Sequence, residues 1–253
     1  KIIVKENAPE LLAQAFEHAR WKPAPVMFSG NTDCYQPVER RLQLTRRCLE
    51  VFLQYRNPVS LITKNSLILR DLDLLKELAA LRIVHVAISL TTLDEDLRRA
   101  MEPRTVPGSK RLDVIEKLSA AGIPVFAMLG PVIPGLNNHE IPALLEAAAQ
   151  RGAMGAGYNL VHLNGEVGLI FENWIRQAFP DRAEKVLNQI RECHGGSLED
   201  RRFGTRSRGE GTLAESIRQL FSLSRKRFFE GRSIPPHDLE AFRRPPRGQL
   251  SLF

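Results

Sequence analysis

The stretch Asp71–Ala121, DLDLLKELAALRIVHVAISLTTLDEDLRRAMEPRTVPGSKRLDVIEKLSAA, decides the fold. At its centre Val84–Ser89 is a nearly continuous apolar run rich in β-branched residues, as in a parallel strand covered on both faces. On either side, Asp71–Leu81 and Lys110–Ala121 follow a helical apolar pattern. A strand flanked by helices is the βα repeat, and the rest of the chain repeats it. Further strands are expected at Lys1–Lys5, Val26–Ser29, Val59–Thr63, Val125–Gly130 and Gly157–Leu163. Further helices are expected at Ala8–Ala19, with Asn7 as N-cap and Pro9 in the first turn, and near Val38–Arg56, Asn138–Arg151 and Val167–Ala178. Gly122 and Gly152 stand at helix ends, where glycine accepts a left-handed cap. No GxGxxG or GxxxxGK[ST] follows the first strands, which removes support for a nucleotide-binding open sheet.

The expected fold class is therefore α/β, a partial (βα)6-type TIM-like barrel of parallel strands over residues 1–180. A C-terminal helical extension follows over 181–232, with helices Ala183–Glu192 and Leu213–Phe229 around a Gly/Arg-rich loop, His194–Gly211. Residues 233–253 read as an extended, proline-containing tail. The chain opens at Lys1 inside an expected strand, so it reads as part of a longer protein.

Apolar residues make up 43 %, enough for a sizeable core. No secretory leader or 18-residue apolar span occurs, so no membrane partner and a cytoplasmic setting are expected. The net charge is +7, and residues 201–253 alone hold twelve basic against five acidic residues. The other 200 residues balance. That asymmetry points to a polyanion partner, nucleic acid, although the arginines could also simply solvate a helical tail. Cys34, Cys48 and Cys193 fit no zinc or disulfide spacing, and Cys48 sits in an apolar helical pattern as a core residue would.

In parallel barrels the chemistry collects at the C-terminal strand ends. Gly30, Asn31, Thr32 and Asp33 follow one strand, and Lys64 follows the next. Ser89 closes the central run, leading into Thr91 and Thr92. A Pro/Gly loop through Ile133 and Gly135 follows Gly130, and the last run carries Tyr158, His162 and Asn164.

Five stretches, SGNTDCYQPVE (Ser29–Glu39), LITKN (Leu61–Asn65), ISLTTLDEDLRRAMEPRT (Ile88–Thr105), GPVIPGLNNHE (Gly130–Glu140) and RFGTRSRGEG (Arg202–Gly211), resemble the radical S-adenosylmethionine (SAM) superfamily. The likeness is to proteins related to spore photoproduct lyase, and it runs nearly the whole chain. It implies a [4Fe–4S] cluster that cleaves SAM to a 5′-deoxyadenosyl radical. It further implies SAM contacts from Gly30, Asn31 and Asp33 to the ammonium, Lys64 to the carboxylate, Ser89 to the ribose, and Gly130, Ile133 and Gly135 near adenine. For Asp33 a plain turn-forming role stays open, and for Lys64 that of a surface lysine. Glu102, Arg104 and Arg111, with Tyr158, are implied as rim residues, and an Arg–Glu pair there could equally be structural. The resemblance places the CxxxCxxC cluster motif upstream of Lys1, so no metal ligands are expected in this chain. Relatives carry proline at the position of Cys34; that thiol is either neutral or a hydrogen donor to a substrate radical.

Arg201, Arg202, Arg206 and Arg208 are the expected nucleic-acid contacts. Gln249, Leu250, Leu252 and Phe253, in the terminal QLSLF, match the pentapeptide that docks on the bacterial DNA sliding clamp. The expected activity is a radical SAM enzyme on nucleic acid in a repair-like role. Two other readings remain at this point: an aldolase-like barrel with a Schiff base on Lys64, and a non-enzymatic, clamp-tethered nucleic-acid module.

Overall fold

The computed structural model describes residues 3–29 and 32–245. In chain order the elements are α1 (Ala8–Glu17), β1 (Val26–Phe28), α2 (Glu39–Leu42), α3 (Leu44–Tyr55), β2 (Val59–Thr63), α4 (Leu72–Ala80), β3 (Val84–Leu90), α5 (Glu95–Met101), α6 (Gly108–Ala120), β4 (Val125–Val132), α7 (Ile141–Gln150), β5 (Gly155–Leu160), α8 (Glu166–Ala178), α9 (Ala183–Cys193) and α10 (Gly211–Phe229). The strands form one parallel sheet in the order β1-β2-β3-β4-β5. Each strand lies beside its predecessor because a helical crossover separates them, as parallel pairing requires. The α/β barrel-type reading is borne out.

Three expectations change in detail. Ile3–Lys5, the described part of the expected first strand, is irregular, and Ile3 is 89 % exposed. The described sheet therefore has five strands, not six: an apolar run becomes a strand only where a neighbour completes its ladder. The helix expected over Val38–Arg56 breaks at Gln43, whose φ is +50°. There the buried Glu39 carboxylate accepts from the amides of Leu44 and Thr45 and so caps α3 from outside it. Helix α5 was not anticipated, although Asp94 is an evident N-cap, accepting from the amides of Asp96 and Leu97.

By density of contacts the chain separates into two compact units. The first comprises the described residues of Lys1–Ala87, Lys117–Val125 and Ile234–Phe253. Its aromatic centre is Phe16, with the rings of Trp21, Tyr55 and Phe52 at 5.1, 5.5 and 5.6 Å. Phe242, from the tail, closes on the same ring edge-on at 6.3 Å. The tail is thus fastened: Arg244 donates to the Phe16 carbonyl, Asp238 pairs with Arg82, and the His237 ring stacks on His85 at 3.7 Å. His237 Nε2 lies 3.1 Å from Ser60 Oγ on β2.

The second unit comprises Ile88–Glu116 and Phe126–Ser233. Helices α7 and α9 pack against α10. A buried cluster of Leu97, Ile133, Leu136, Val161, Leu187 and Ile190 fills its interior.

The stacked imidazoles make the fold acid-sensitive. Burial, and the neighbouring His85, hold His237 down to about 4 from 6.5, and burial lowers His85 as well. Both folded-state values lie below the ordinary one, so the unfolded chain binds these protons more readily. Their contribution is complete above about pH 6.5 and is lost as pH falls toward 4. The expected outcome is a urea midpoint that falls between pH 7 and pH 4.5, and falls less in His237→Gln. An equal fall in both proteins would remove the pair as the cause.

Candidate active site

At the C-terminal end of β2, the loop after β1 is folded back and tied by Asp33. Its Oδ1 accepts from the Thr63 hydroxyl at 2.7 Å and the Tyr35 amide at 2.9 Å, and its Oδ2 from the Lys64 amide at 2.8 Å. Asp33 and Lys64 are therefore brought together, through the Lys64 backbone. Three donors on one carboxylate leave roughly one of its four acceptor positions. The loop is fixed further along as well. The Cys34 amide donates to Ser29 Oγ, Thr45 Oγ1 donates to the Cys34 carbonyl, and the buried Tyr35 hydroxyl donates to Asp71. Burial, with the nearby charges of Asp33 and Glu39, pushes the Cys34 thiol up to about 12. It is a thiol at neutral pH, unsuited to act as a nucleophile. Gly30 and Asn31 lie outside the described residues.

In the second unit a fastened cluster closes the end of β3. The Ser89 hydroxyl donates to the Gly130 carbonyl at 3.3 Å, and Thr91 Oγ1 lies 3.1 Å from that carbonyl and from Glu102 Oε1. Beneath them is Arg111, 2 % exposed. Its Nη1 donates to the Ser89 carbonyl at 3.1 Å and its Nε to the Val106 carbonyl at 3.0 Å. Its Nη2 reaches Glu102 at 2.7 Å and Thr105 Oγ1 at 2.6 Å. Arg111 and Glu102 thus form an ion pair, with the arginine buried and the carboxylate largely so. Arg104 is exposed.

Other expected site residues sit elsewhere in this unit. Tyr158 stands in register with Leu129, on the helix-covered face, and packs on Phe221 of α10 at 4.7 Å. It therefore does not join the face of Gly130, which looks toward Asn159. Ile133 is 1 % exposed in the core, and its amide is taken by Asn137 Oδ1 at 2.6 Å. Gly135, at φ +75°, is pressed against Gln189, whose side-chain oxygen occupies the place of a Cβ. Its glycine character answers to α9 and the turn. Arg202 is engaged with Asp200 and Glu210, Arg201 with Glu199, and Arg206 lies over the Phe203 ring, while Arg208 is exposed. Gln249, Leu250, Leu252 and Phe253 lie outside the described residues.

Two fasteners were missed by the sequence reading. Asn137 is buried and also donates to the carbonyls of Thr91 and Pro131. Glu140 accepts from the Thr92 hydroxyl at 2.6 Å and the Leu93 amide at 2.8 Å. Their signal was present: an Asn and a Glu just past a Pro–Gly turn are suited to satisfy loop backbone groups.

A model of the Radical SAM superfamily matches residues 3–148. The chain belongs to the radical SAM superfamily. An uncharacterised protein of Mycobacterium tuberculosis is 32 % identical over 196 residues, which is 77 % of this chain and 56 % of that protein. An uncharacterised protein of Methanocaldococcus jannaschii is 28 % identical over 188 residues, 74 % of this chain and 67 % of that one. The chain thus spans little more than half the length of the mycobacterial relative. The structure of spore photoproduct lyase complexed with dinucleoside spore photoproduct superposes with a TM-score of 0.62 at 14 % identity, over 91 % of this chain and 66 % of that one. A mutant of that lyase with bound AdoMet and the same dinucleoside gives an equal score.

The superfamily implies a [4Fe–4S] cluster and SAM. Among the described residues no three His, Cys, Asp or Glu side chains are grouped to hold a metal. Cys34, Cys48 and Cys193 join no such group. These cysteines do not fit the cluster. For SAM the donor chemistry does fit. In the first unit Lys64 supplies a cation; in the second Ser89 supplies a hydroxyl and Gly130 a backbone position where, among the described residues, a Cβ would meet Asn159 at 3.8 Å.

Glu102→Gln, which leaves the Arg111 guanidinium buried without its counter-charge, is expected to destabilise by about 3 kcal/mol in urea denaturation. A loss below about 0.5 kcal/mol would show that the neutral hydrogen bonds suffice.

Proposed function

We propose that the protein is a radical SAM enzyme that holds SAM at its C-terminal strand ends and acts on nucleic acid in a repair-like role. The family match over residues 3–148, which spans the Asp33–Lys64 and Ser89–Gly130 strand ends, carries the reading. Bound beside a reduced cluster, SAM would supply 5′-deoxyadenosyl radical chemistry. The chain's own residues do the holding. Lys64 would meet the SAM carboxylate with a charge-assisted hydrogen bond. Asp33 fixes the Lys64 backbone, so the cation starts from a set position. Ser89 would offer its hydroxyl oxygen to the ribose while its carbonyl stays anchored on Arg111. Gly130 would admit adenine against its backbone.

Nucleic acid as substrate is supported by the net positive charge, all of it carried by residues 201–253, and by the dinucleoside bound in the spore photoproduct lyase structure. QLSLF would tether the enzyme to a bacterial sliding clamp through Leu252 and Phe253 in an apolar pocket. Among the described residues no helix is long and apolar enough to cross a membrane.

The test is the full-length protein, reconstituted anaerobically with iron and sulfide and reduced, with 5′-deoxyadenosine measured by chromatography. Lys64→Ala is expected to weaken SAM binding about tenfold or more, the worth of one charge-assisted hydrogen bond, measured by equilibrium dialysis. No SAM binding by the wild type, or borohydride trapping of a carbonyl substrate on Lys64, would overturn the reading. For the tether, Leu252→Ala with Phe253→Ala should abolish clamp co-purification, and unchanged recovery would remove that role.

A further inference from the structure

The loop His194–Gly211 is built around buried charge. His194 lies between Asp200 Oδ2, at 3.2 Å from Nδ1, and the Val161 carbonyl, at 2.7 Å from Nε2. Asp200 accepts from Arg202 Nε and Nη2, both at 2.9 Å, and Arg202 continues to Glu210 at 2.8 Å. The Ser207 carbonyl accepts from the Leu160 amide at 2.8 Å, so the loop is fixed at the C-terminal end of β5. Gly209, at φ +70°, lies so close to Leu160 and the Cys193 carbonyl that a Cβ would clash. Arg202 is thus used to hold the loop in shape. What this frame presents to solvent is Phe203, 93 % exposed, with the Arg206 guanidinium 5.9 Å from its ring centre.

A second feature adjoins it. On α10 the exposed side chains of Arg218, Ser222, Arg225 and Lys226 line one open groove over Phe221 and Phe229. Their spacing puts them on one helix face, and Arg218 to Lys226 spans about 12 Å. Burial raises the Tyr158 phenol, while the charges of Arg218 and Arg208 oppose that rise. Gly209, next to Arg208, lies against Ala214 of α10, and Tyr158 packs on Phe221 of the same helix, so the loop and the helix stripe adjoin. Glu215, on the stripe's flank, pairs with Arg218 in an exposed contact that a phosphate can replace.

We propose that Phe203, Arg208 and the Arg218–Arg225–Lys226 stripe form one binding surface for single-stranded nucleic acid. The cations follow successive phosphates and Phe203 stacks on an unpaired base. The surface deepens the nucleic-acid reading above and rests on it. A linear row of cations beside a rigidly presented aromatic ring suits a strand with both charge and π-faces. An acidic peptide or lipid surface offers no base for the ring.

The test is fluorescence anisotropy of the full-length protein with a labelled single-stranded oligonucleotide across a salt series. The triple variant Arg208→Gln, Arg225→Gln, Lys226→Gln is expected to flatten the slope of log affinity against log salt by about 2, near 0.7 for each phosphate no longer neutralised. Phe203→Ala should weaken binding roughly tenfold, and the loss should vanish on an abasic strand. A wild-type slope in the triple variant, or an equal Phe203→Ala effect on the abasic strand, overturns this surface. Binding of the wild type to phosphatidylserine vesicles but to no oligonucleotide at low salt overturns the nucleic-acid reading with it. Affinity is read without the radical reaction, so a missing 5′-deoxyadenosine product leaves this result standing.

Discussion

A guanidinium cannot give up its proton at accessible pH, so burying one obliges the chain to bring acceptors to every face of it. Arg111 meets that demand almost entirely from the segment just before it. The carbonyls of Ser89 and Val106, the Glu102 carboxylate and the Thr105 hydroxyl all turn inward upon it. The turn into α6 then becomes so tight that only glycine fits at position 108, where a Cβ would come within 2.6 Å of the Thr92 carbonyl. The end of β3 inherits its geometry from this centre. Ser89 and Thr91 stand over the Gly130 carbonyl because the loop beyond them cannot relax outward.

The same logic recurs around the other strand ends. Asp33 gathers Thr63, Lys64 and Tyr35, and Asn137 and Glu140 gather the Thr91–Leu93 loop. A parallel strand finishes with backbone groups that no ladder satisfies, and here short polar side chains satisfy them. Polar residues crowd the strand ends partly for that reason. Their presence marks the rim of the sheet, and only some can also face a ligand.

Strand positions were legible in the sequence because continuous apolar runs are a strong signal. Val59–Thr63 was read to the residue and β3 to within one. Lys1–Lys5 carries the same signal and no described strand, since composition does not reveal whether a partner lies alongside. The break at Gln43 was invisible for a related reason: its cap, Glu39, lies outside the helix it serves. At the candidate site, the motifs drew attention to Asp33, Glu102 and Arg111, whose side chains turn out to be hydrogen-bonded at the strand ends, but not to which way each side chain turns. Tyr158 shows the limit, because one step along a strand exchanges the two faces. Asn137 and Glu140 escaped because polar residues past a Pro–Gly turn are common, and only the folded loop shows which backbone groups they close.

The tail's return to the first unit bears on how the protein is made. Arg244 and Phe242 close on Phe16, more than two hundred residues earlier in the chain. On the ribosome, the opening helices must wait, their aromatic centre unsealed, while the whole intervening unit is synthesised. Molecules released before residues 242–244 are made would therefore expose that centre, and quality-control proteases would meet Phe16 and its neighbours uncovered.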